Sequence, residues 1–566
     1  MLEKISVETA FMRANSHAKK GEVAEAKKIY QAVLRVFPKN KKAQEKLTAL
    51  NMHKYNDVKQ IISQATIDQL LYLYEKGQLL SVIEQAQSLT EKYPDAFVVW
   101  NILGASTAKM GMFDRAIEAY KKSILLKPDY VAAYNNLGAA LKDKGKINEA
   151  IEVYKKALSL EPNYVSFNNM GNALKDQGKL DEAIDAYKNS ISLKSDYAIA
   201  YNNMATALKK QNKLEVSLVF YNKAILLKPD FAEAYNNKGN ILNDQGEIEE
   251  AIDNFKHALK INPNYEKARI NKLFSQADIC DWSDLEEDKK LIPKIGISHQ
   301  HINPVLMTTF EDKPDRHRIR SEIYAKNIIK QKTMPMHLVP KNKPKRLRIG
   351  YFSSDFRVHS VIYMISNILE THDRQNFKIY AYSFGPNDGS DVRQRIINTV
   401  DVFHDVKEMT DKDITLLARE NKIDIAIDLN GYTKYCRPGI FAYRCAPIQI
   451  HFWGSGSSCG ASFIDYIITT EMAVPKEHNH HYCESIIRLP FWFQARHKNN
   501  YISERSLTRK DVGLPEYGFV FCSFNNNYKL SPKEFDIWMR LLDKVEHSVL
   551  WIYKSNKWVE KNLVKE

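Results

Sequence analysis

IDIAIDLNGYTKYCRPGIFAYRCAPIQIHFWGSGSSCGASFIDYIIT, residues 423–469, is the stretch on which the reading of the fold turns. Three apolar runs stand in it: Ile423–Leu429, broken only by Asp424 and Asp428, then Pro447–Trp453, then Phe463–Thr469. Short apolar runs bounded by turn residues suit a parallel sheet covered on both faces. The polar turns come just after the strands, where open α/β sheets hold their ligands. Asp428-Leu-Asn-Gly-Tyr-Thr-Lys434 follows the first, and Gly454-Ser-Gly-Ser-Ser-Cys-Gly460 follows the second. A glycine-rich turn there is either a plain tight turn or a loop whose N–H groups approach a phosphate or sugar oxygen.

Working outward, the period of two begins at Leu347. Strands are predicted at Leu347–Ser353, Phe377–Phe384 and Val400–Val406, with helices after His359 and over 411–421. Alternating β and α elements make a doubly wound lobe, assigned to residues 341–495. Residues 496–566 start a second unit, with strands at Phe519–Phe524 and Val549–Tyr553 around a helix at Ser531–Val545. Upstream, 271–340 reads as a helical connector carrying Pro293, Pro304, Pro314 and Pro335.

Residues 1–270 repeat. Pro94, Pro128, Pro162, Pro229 and Pro263 recur on a spacing of 34, with Ser195 replacing one proline and one residue missing before Phe167. That period with helix-turn-helix content is the tetratricopeptide (TPR) signature of an α-solenoid. Gly104, Gly138, Gly171, Ala205 and Gly239 share position eight, and small residues there let two helices approach closely. Gly111, Gly145, Gly178, Asn212 and Gly246 fall between the helices, where a left-handed residue ends the first one. Five clear repeats follow two degenerate pairs, marked by Gly21, Ala26, Tyr30 and Pro38 and by Gly77 and Pro94, with a helical insertion around 40–62.

Asn136, Asn169, Asn203 and Asn237 share position six, each preceded by another asparagine. Asparagine is a mediocre helix former, so propensity does not explain the choice. A side-chain amide donates and accepts at once, and a row of them would hold an extended polypeptide by its backbone. The other reading is repeat duplication that carried a neutral residue along.

Bulk properties narrow the class. Hydrophobic residues make up 44% and charged residues 27% of 566, enough for a core and a soluble surface. The net charge of +14 is compatible with an anionic ligand or a lysine-rich surface, and no nucleic-acid motif accompanies it. Six cysteines without a C-x-x-C pair argue against a zinc ribbon or disulfide framework. The first twenty residues lack an apolar signal region, and no 18-residue apolar run occurs, so a cytoplasmic protein without a membrane span is expected. Glu477-His-Asn-His-His-Tyr-Cys483 lacks the helical i, i+4 spacing of a metal pair, and no metal is assigned to it. His359, at the sheet's C-terminal rim in Ser353-Ser-Asp-Phe-Arg-Val-His359, either exchanges a proton near neutrality or caps a helix.

Asp428–Lys434, Phe441–Gln449, Asp465–Thr469, the motif ending at His359 and Phe524-Asn-Asn-Asn-Tyr-Lys529 together resemble the protein O-GlcNAc transferases. That family joins a TPR superhelix to a two-lobed glycosyltransferase of the GT-B kind. The resemblance implies transfer of N-acetylglucosamine from UDP-GlcNAc to Ser or Thr, with inversion and without a metal or other cofactor. It implies His359 at the reacting centre, Lys529 on the leaving diphosphate, and donor contacts from Asp428, Tyr432, Gly454, Gly460 and Asn526. It also implies polypeptide acceptors on the asparagine row, and leaves a homodimer through the repeats open. Nucleic acid and membrane are not expected partners. Three positions depart from the family: the loop 454–460, Tyr432 in place of histidine in some relatives, and Asn526 in place of glutamine. A second lobe needs about 100–150 residues, and about half are present, so it is read as incomplete. The alternatives are a related protein O-fucosyltransferase or an inactive TPR scaffold.

Overall fold

The computed structural model describes residues 6–19, 22–52, 62–297, 302–329, 344–452, 454–490 and 505–566. Gly21, Trp453, residues 53–61 of the insertion and most of the stretch between the two α/β segments lie outside them. Two compact units divide the chain, Met1–Ala140 and Leu141–Glu566.

In the first unit, helices Val7–Lys19 and Val23–Val36 pair around Ala26 and Tyr30, and Lys41–Met52 forms the expected extra helix. Gln64–Glu75 with Leu79–Lys92, and Phe97–Lys109 with Phe113–Leu126, continue the repeat pattern. Gly104 shows why position eight stays small: a Cβ there would stand 2.6 Å from the ring of Tyr120.

In the second unit the pairs are Tyr164–Asp176 with Leu180–Leu193, Ala198–Lys210 with Leu214–Leu227, and Ala232–Asp244 with Ile248–Ile261. The residues between paired helices are left-handed as expected, including Asn212 at φ 61°. The boundary expected at 270 falls inside a further helix, Glu266–Asp278. This helix has the buried small residue of a repeat in Ala268, but the acidic run after Trp282 supplies no full-length partner helix. Instead Asp288 and Asp284 turn back on it: Lys272, 6% exposed, meets them at 2.7 and 3.3 Å. The last repeats also pack on the C-terminal segment, with Ile248, Ile252, Ile279 and Trp558 in one apolar cluster. Repeats, connector and sheets therefore form one unit from Leu141 onward. The connector is held from inside by Arg320, 1% exposed, which donates to the carbonyls of Ile295 and Ile292 and to Glu311.

Among the described residues the main sheet has seven parallel strands: β1 (Leu347–Ser353), β2 (Phe377–Ser383), β3 (Val402–Asp405), β4 (Ile425–Asp428), β5 (Ile448–His451), β6 (Tyr466–Thr470) and β7 (Ser485–Leu489). Their order is β3-β2-β1-β4-β5-β6-β7. Alternate side chains feed two cores. Ile349, Tyr351 and Ile427 face helix Ser360–Thr371, while Phe352 and Ala426 face Ile414, Ala418 and Phe441. Burial on both sides is what makes these strands read as apolar runs. A second sheet pairs β8 (Val520–Ser523) in parallel with β9 (Val549–Ile552).

Candidate active site

Strand order reverses between β1 and β4, since β2 lies on one side of β1 and β4 on the other. Loops leaving the carboxyl ends of such strands splay apart and leave a crevice. The loop after β1 carries His359, and the loop after β4 carries Asp428–Lys434.

Asn430, 1% exposed, ties these loops together. Its Oδ1 accepts from the Ser354 N–H at 2.9 Å. Its Nδ2 donates to Ser354 Oγ at 2.8 Å, Asp355 Oδ2 at 3.1 Å and Thr433 Oγ1 at 3.2 Å. His359 caps helix Ser360–Thr371, its Nδ1 accepting from the Val361 N–H at 3.3 Å and standing 3.7 Å from Asp355 Oδ2. Among the described residues its Nε2 has no hydrogen-bond partner. While Nδ1 caps, the neutral ring carries its proton on Nε2; with the proton on Nδ1, toward Asp355, the cap is released and Nε2 becomes the acceptor.

Two residues expected to face a donor turn inward. Asp428, 4% exposed, accepts from the N–H groups of Asn430 and Gly431 at 2.9 and 3.1 Å. A carboxylate at a strand end that closes its own turn is engaged by backbone donors. Tyr432 borders a cavity, yet its ring is 2% exposed and meets Tyr324 edge-on at 4.8 Å. Its hydroxyl donates to the Cys459 carbonyl at 2.7 Å, and burial raises its pKa well above the usual phenol value. Both side chains are engaged within the protein, while Tyr432 still borders the cavity.

Gly454 and Gly460 have packing reasons of their own. A Cβ on Gly454, at φ +85°, would stand 2.2 Å from the Asn430 carbonyl oxygen; one on Gly460, at φ +59°, would stand 2.4 Å from the Glu322 nitrogen. Gly454→Ala should therefore cost about 2–3 kcal/mol in a thermal melt made without any ligand. An unchanged melt would mean that the glycine serves only a bound molecule. His451, buried beneath this loop, joins it to the β4 turn, with Nε2 at 3.0 Å from the Ser455 carbonyl and Nδ1 at 3.7 Å from Asp428 Oδ2. Burial disfavours its charge, but the Cys459 thiol and the Asp428 carboxylate outweigh it and raise the His451 pKa well above the ordinary imidazole value.

A cavity of about 720 Å³ opens beside the β4 loop, and Thr433, Lys434, Asn303, Thr309, Tyr528 and Lys529 help to line it. Lys529, exposed, ends the turn Asn527–Lys529 after β8, and among the described residues it has no ion-pair partner. Asn526 is exposed in the same turn, while Asn527 is the structural member of the triplet. Its amide donates to the Tyr553 carbonyl at 2.9 Å and accepts from the Ser555 N–H at 3.1 Å. His359 does not line this cavity; it is joined to it through Asp355, Asn430 and Thr433.

The asparagine row also has partners. Asn136 donates to Asn101 at 3.0 Å, Asn203 to Asn168 at 2.9 Å and Asn237 to Asn202 at 3.1 Å. Each bond runs from position six to the fifth position of the preceding repeat. Asn271 continues the row, donating to Asn236 at 3.0 Å. For Asn169, the contact that emerges is with its neighbour Asn168, at 3.5 Å. The doubled asparagines of the sequence are thus the two halves of an inter-repeat brace, which their recurrence at adjacent positions already encodes. Each brace uses one N–H, leaving the half-buried position-six amide with hydrogen-bonding capacity for a ligand.

Comparison with known proteins agrees with this architecture. The pattern of glycosyl transferase family 41 matches residues 279–507 and 500–566. Tetratricopeptide patterns match 8–40, 107–145, 131–164, 171–212, 198–231 and 232–265. The chain belongs to glycosyl transferase family 41. It is 37% identical over 215 residues to the probable UDP-N-acetylglucosamine–peptide N-acetylglucosaminyltransferase SEC of Arabidopsis thaliana, covering 37% of this chain and 22% of that one. With the Caenorhabditis elegans UDP-N-acetylglucosamine–peptide N-acetylglucosaminyltransferase it shares 31% over 232 residues, 38% of this chain and 20% of the other. The match thus spans about a fifth of the length of these curated relatives. Among solved structures, a mutant of the Thermobaculum terrenum O-GlcNAc transferase aligns with 69% of this chain and 68% of its own, at 21% identity and TM-score 0.44.

Proposed function

We propose that this chain is a protein O-glycosyltransferase that moves N-acetylglucosamine from UDP-GlcNAc to Ser or Thr hydroxyls of polypeptides held by its repeats. The observation that carries the reading is that Lys529, without an ion-pair partner among the described residues, lines one cavity with Thr433 and Lys434, beside the crevice between β1 and β4. The acceptor oxygen attacks the anomeric carbon, and the bond from that carbon to the diphosphate oxygen breaks. Lys529 neutralises the charge that develops on the diphosphate, the task for which other transferases use a metal. With its ring proton moved to Nδ1, toward Asp355, His359 takes the hydroxyl proton on Nε2. The relatives' names support the donor. Incubation of the protein and an acceptor with UDP-GlcNAc, followed by mass spectrometry, tests it: absence of added hexosamine refutes the reading, and a panel of labelled nucleotide sugars identifies a different donor.

The repeats present the acceptor by its backbone. Replacing Asn136, Asn169, Asn203 and Asn237 with alanine should weaken acceptor binding severalfold. It should also lower the melting temperature, because Asn168 and Asn202, both buried, lose a donor at about 1–3 kcal/mol each. Asn202→Ala separates the two effects, since it breaks a brace without removing a position-six amide. If it weakens acceptor binding as much as the quadruple variant does, the row acts only as a brace.

Helix Leu214–Leu227 supports homodimerisation. Val216, Val219 and Leu226 are 46%, 64% and 72% exposed along one face. The neighbouring repeats carry Glu182, Asp185 and Ser192, and Glu250, Asp253 and Lys260, at the same positions. An apolar strip confined to one repeat is self-complementary about a two-fold axis. Val219→Glu should leave a monomer in sedimentation where the parent protein is a dimer; a parent that sediments as a monomer removes the proposal. Six unpaired cysteines support a reducing, cytoplasmic setting. Among the described residues no helix is long and apolar enough to cross a membrane.

A further inference from the structure

Away from the cavity, the histidine-rich loop gains a partner that its own spacing could not provide. The turn Lys476–His481 packs against the start of helix Pro314–Ile329. This brings Asp315 to His480 and His481, with one ligand atom of each within 4.8 Å of the others, the one such cluster among the described residues. We propose that Asp315, His480 and His481 form a binding site for a divalent transition metal of the zinc class, separate from the transfer chemistry.

The side chains are oriented for it. His480 Nδ1 lies 2.8 Å from the Glu477 carbonyl, and a ring N–H donated there leaves Nε2 with the lone pair that a metal needs. This carbonyl–histidine arrangement is the usual support of a metal-bound imidazole. His481 Nδ1 and Asp315 Oδ1 stand 2.8 Å apart, and among the described residues no hydrogen bond engages that nitrogen. Ligand bonds of about 2.0–2.1 Å place tetrahedral donor atoms a little over 3 Å apart, so closure needs side-chain rotation and no change of fold. Two neutral imidazoles and one carboxylate suit Zn²⁺, with water or His478, whose ring is 5.5 Å from that of His481, completing the set. Of the arginines that follow Asp315, Arg316 pairs with Glu311, and Arg318 is engaged by Glu322 at 2.9 Å and donates to the His480 carbonyl. Cys483 is turned away, its Sγ at 3.2 Å from Glu322 Oε1.

Occupancy has a structural consequence. The residues after His481 hold the glycine-rich loop: Tyr482 donates to the Gly456 carbonyl at 2.7 Å, and Glu484 accepts from Ser458 Oγ at 2.7 Å and from the Cys459 N–H at 2.6 Å. A metal on His481 and Asp315 clamps that support to the helix and stiffens the loop from behind.

The test uses the whole chain, stripped with a chelator and titrated calorimetrically with Zn²⁺ alone. Saturable binding at one site is expected, with His481→Ala and Asp315→Ala each weakening it by about tenfold or more. Cys483→Ser should bind like the parent. The Co²⁺-loaded protein should show tetrahedral d–d absorption without thiolate charge transfer. His480→Gln, which retains bulk and polarity, stands in where an alanine variant fails to fold. Lack of saturable binding, binding that survives loss of both His480 and His481, or binding lost with Cys483 overturns the proposal.

Discussion

His359→Asn lowers turnover by about 10²–10⁴ while the melting temperature stays close to that of the parent. Asparagine is among the best helix caps, so the hydrogen bond from the Val361 N–H is kept and the proton-accepting nitrogen is lost. The variant therefore separates the two roles that the structure combines in one ring. His359→Ala loses both, and should add about 0.5–1 kcal/mol of destabilisation to the same loss of rate. Lys529→Ala is expected to lower turnover by about 10²–10³, as removal of a single charge-stabilising donor does elsewhere. Its exposed position predicts an unchanged melt. Single-turnover measurement of hexosamine transfer checks all three. Turnover within a few-fold of the parent for His359→Asn would move the base to another group.

Asn430→Ala is expected to reduce both stability and rate. It removes four hydrogen bonds in a buried site and leaves the Ser354 N–H without its acceptor. A loss of about 3–4 kcal/mol follows, if each bond contributes about 1 kcal/mol. The rate falls because the loops bearing His359 and Thr433 are no longer held in one geometry, and small misplacements are costly in a transfer reaction. Asn430 touches no reacting atom in this account; it is a positioning residue. Its signature is a combined loss, against the rate loss alone that His359→Asn shows. Denaturant melts and turnover on the same preparations distinguish them.

The solenoid and the central strands were legible because their patterns are periodic and their burial is symmetrical. β1 runs over Leu347–Ser353 as the apolar alternation predicts, and Asp424, which interrupts the next run, is neutralised by Arg348 through two bonds of 2.9 and 3.0 Å. β7 carries a weaker sequence signal because Ser485–Leu489 is an edge strand with alternating exposure and an arginine inside it. The site was less legible where function depended on which way a side chain turns. Asp428 and Tyr432 stand in the right loop, but one closes its own turn and the other fills the core. Asn430 lies between them in sequence and carries the geometry, since a single amide satisfies donors and acceptors on two loops. Asp315 is far from His481 in the chain, so only the packing of helix Pro314–Ile329 reveals them as neighbours.

The braces between repeats also constrain how such a chain can change over time. Asn203 and Asn168, Asn237 and Asn202, and Asn271 and Asn236 are bonded pairs, each separated by 35 positions. Loss of the position-six member strands its buried partner Asn168, Asn202 or Asn236, at a cost that selection would register. Replacement of both by small apolar residues removes the need for the bond, so the double replacement costs less than the single one that strands a buried amide. Substitutions in these helices should therefore arrive as correlated couples offset by one repeat and one residue, and each repeat's history is written partly in its predecessor.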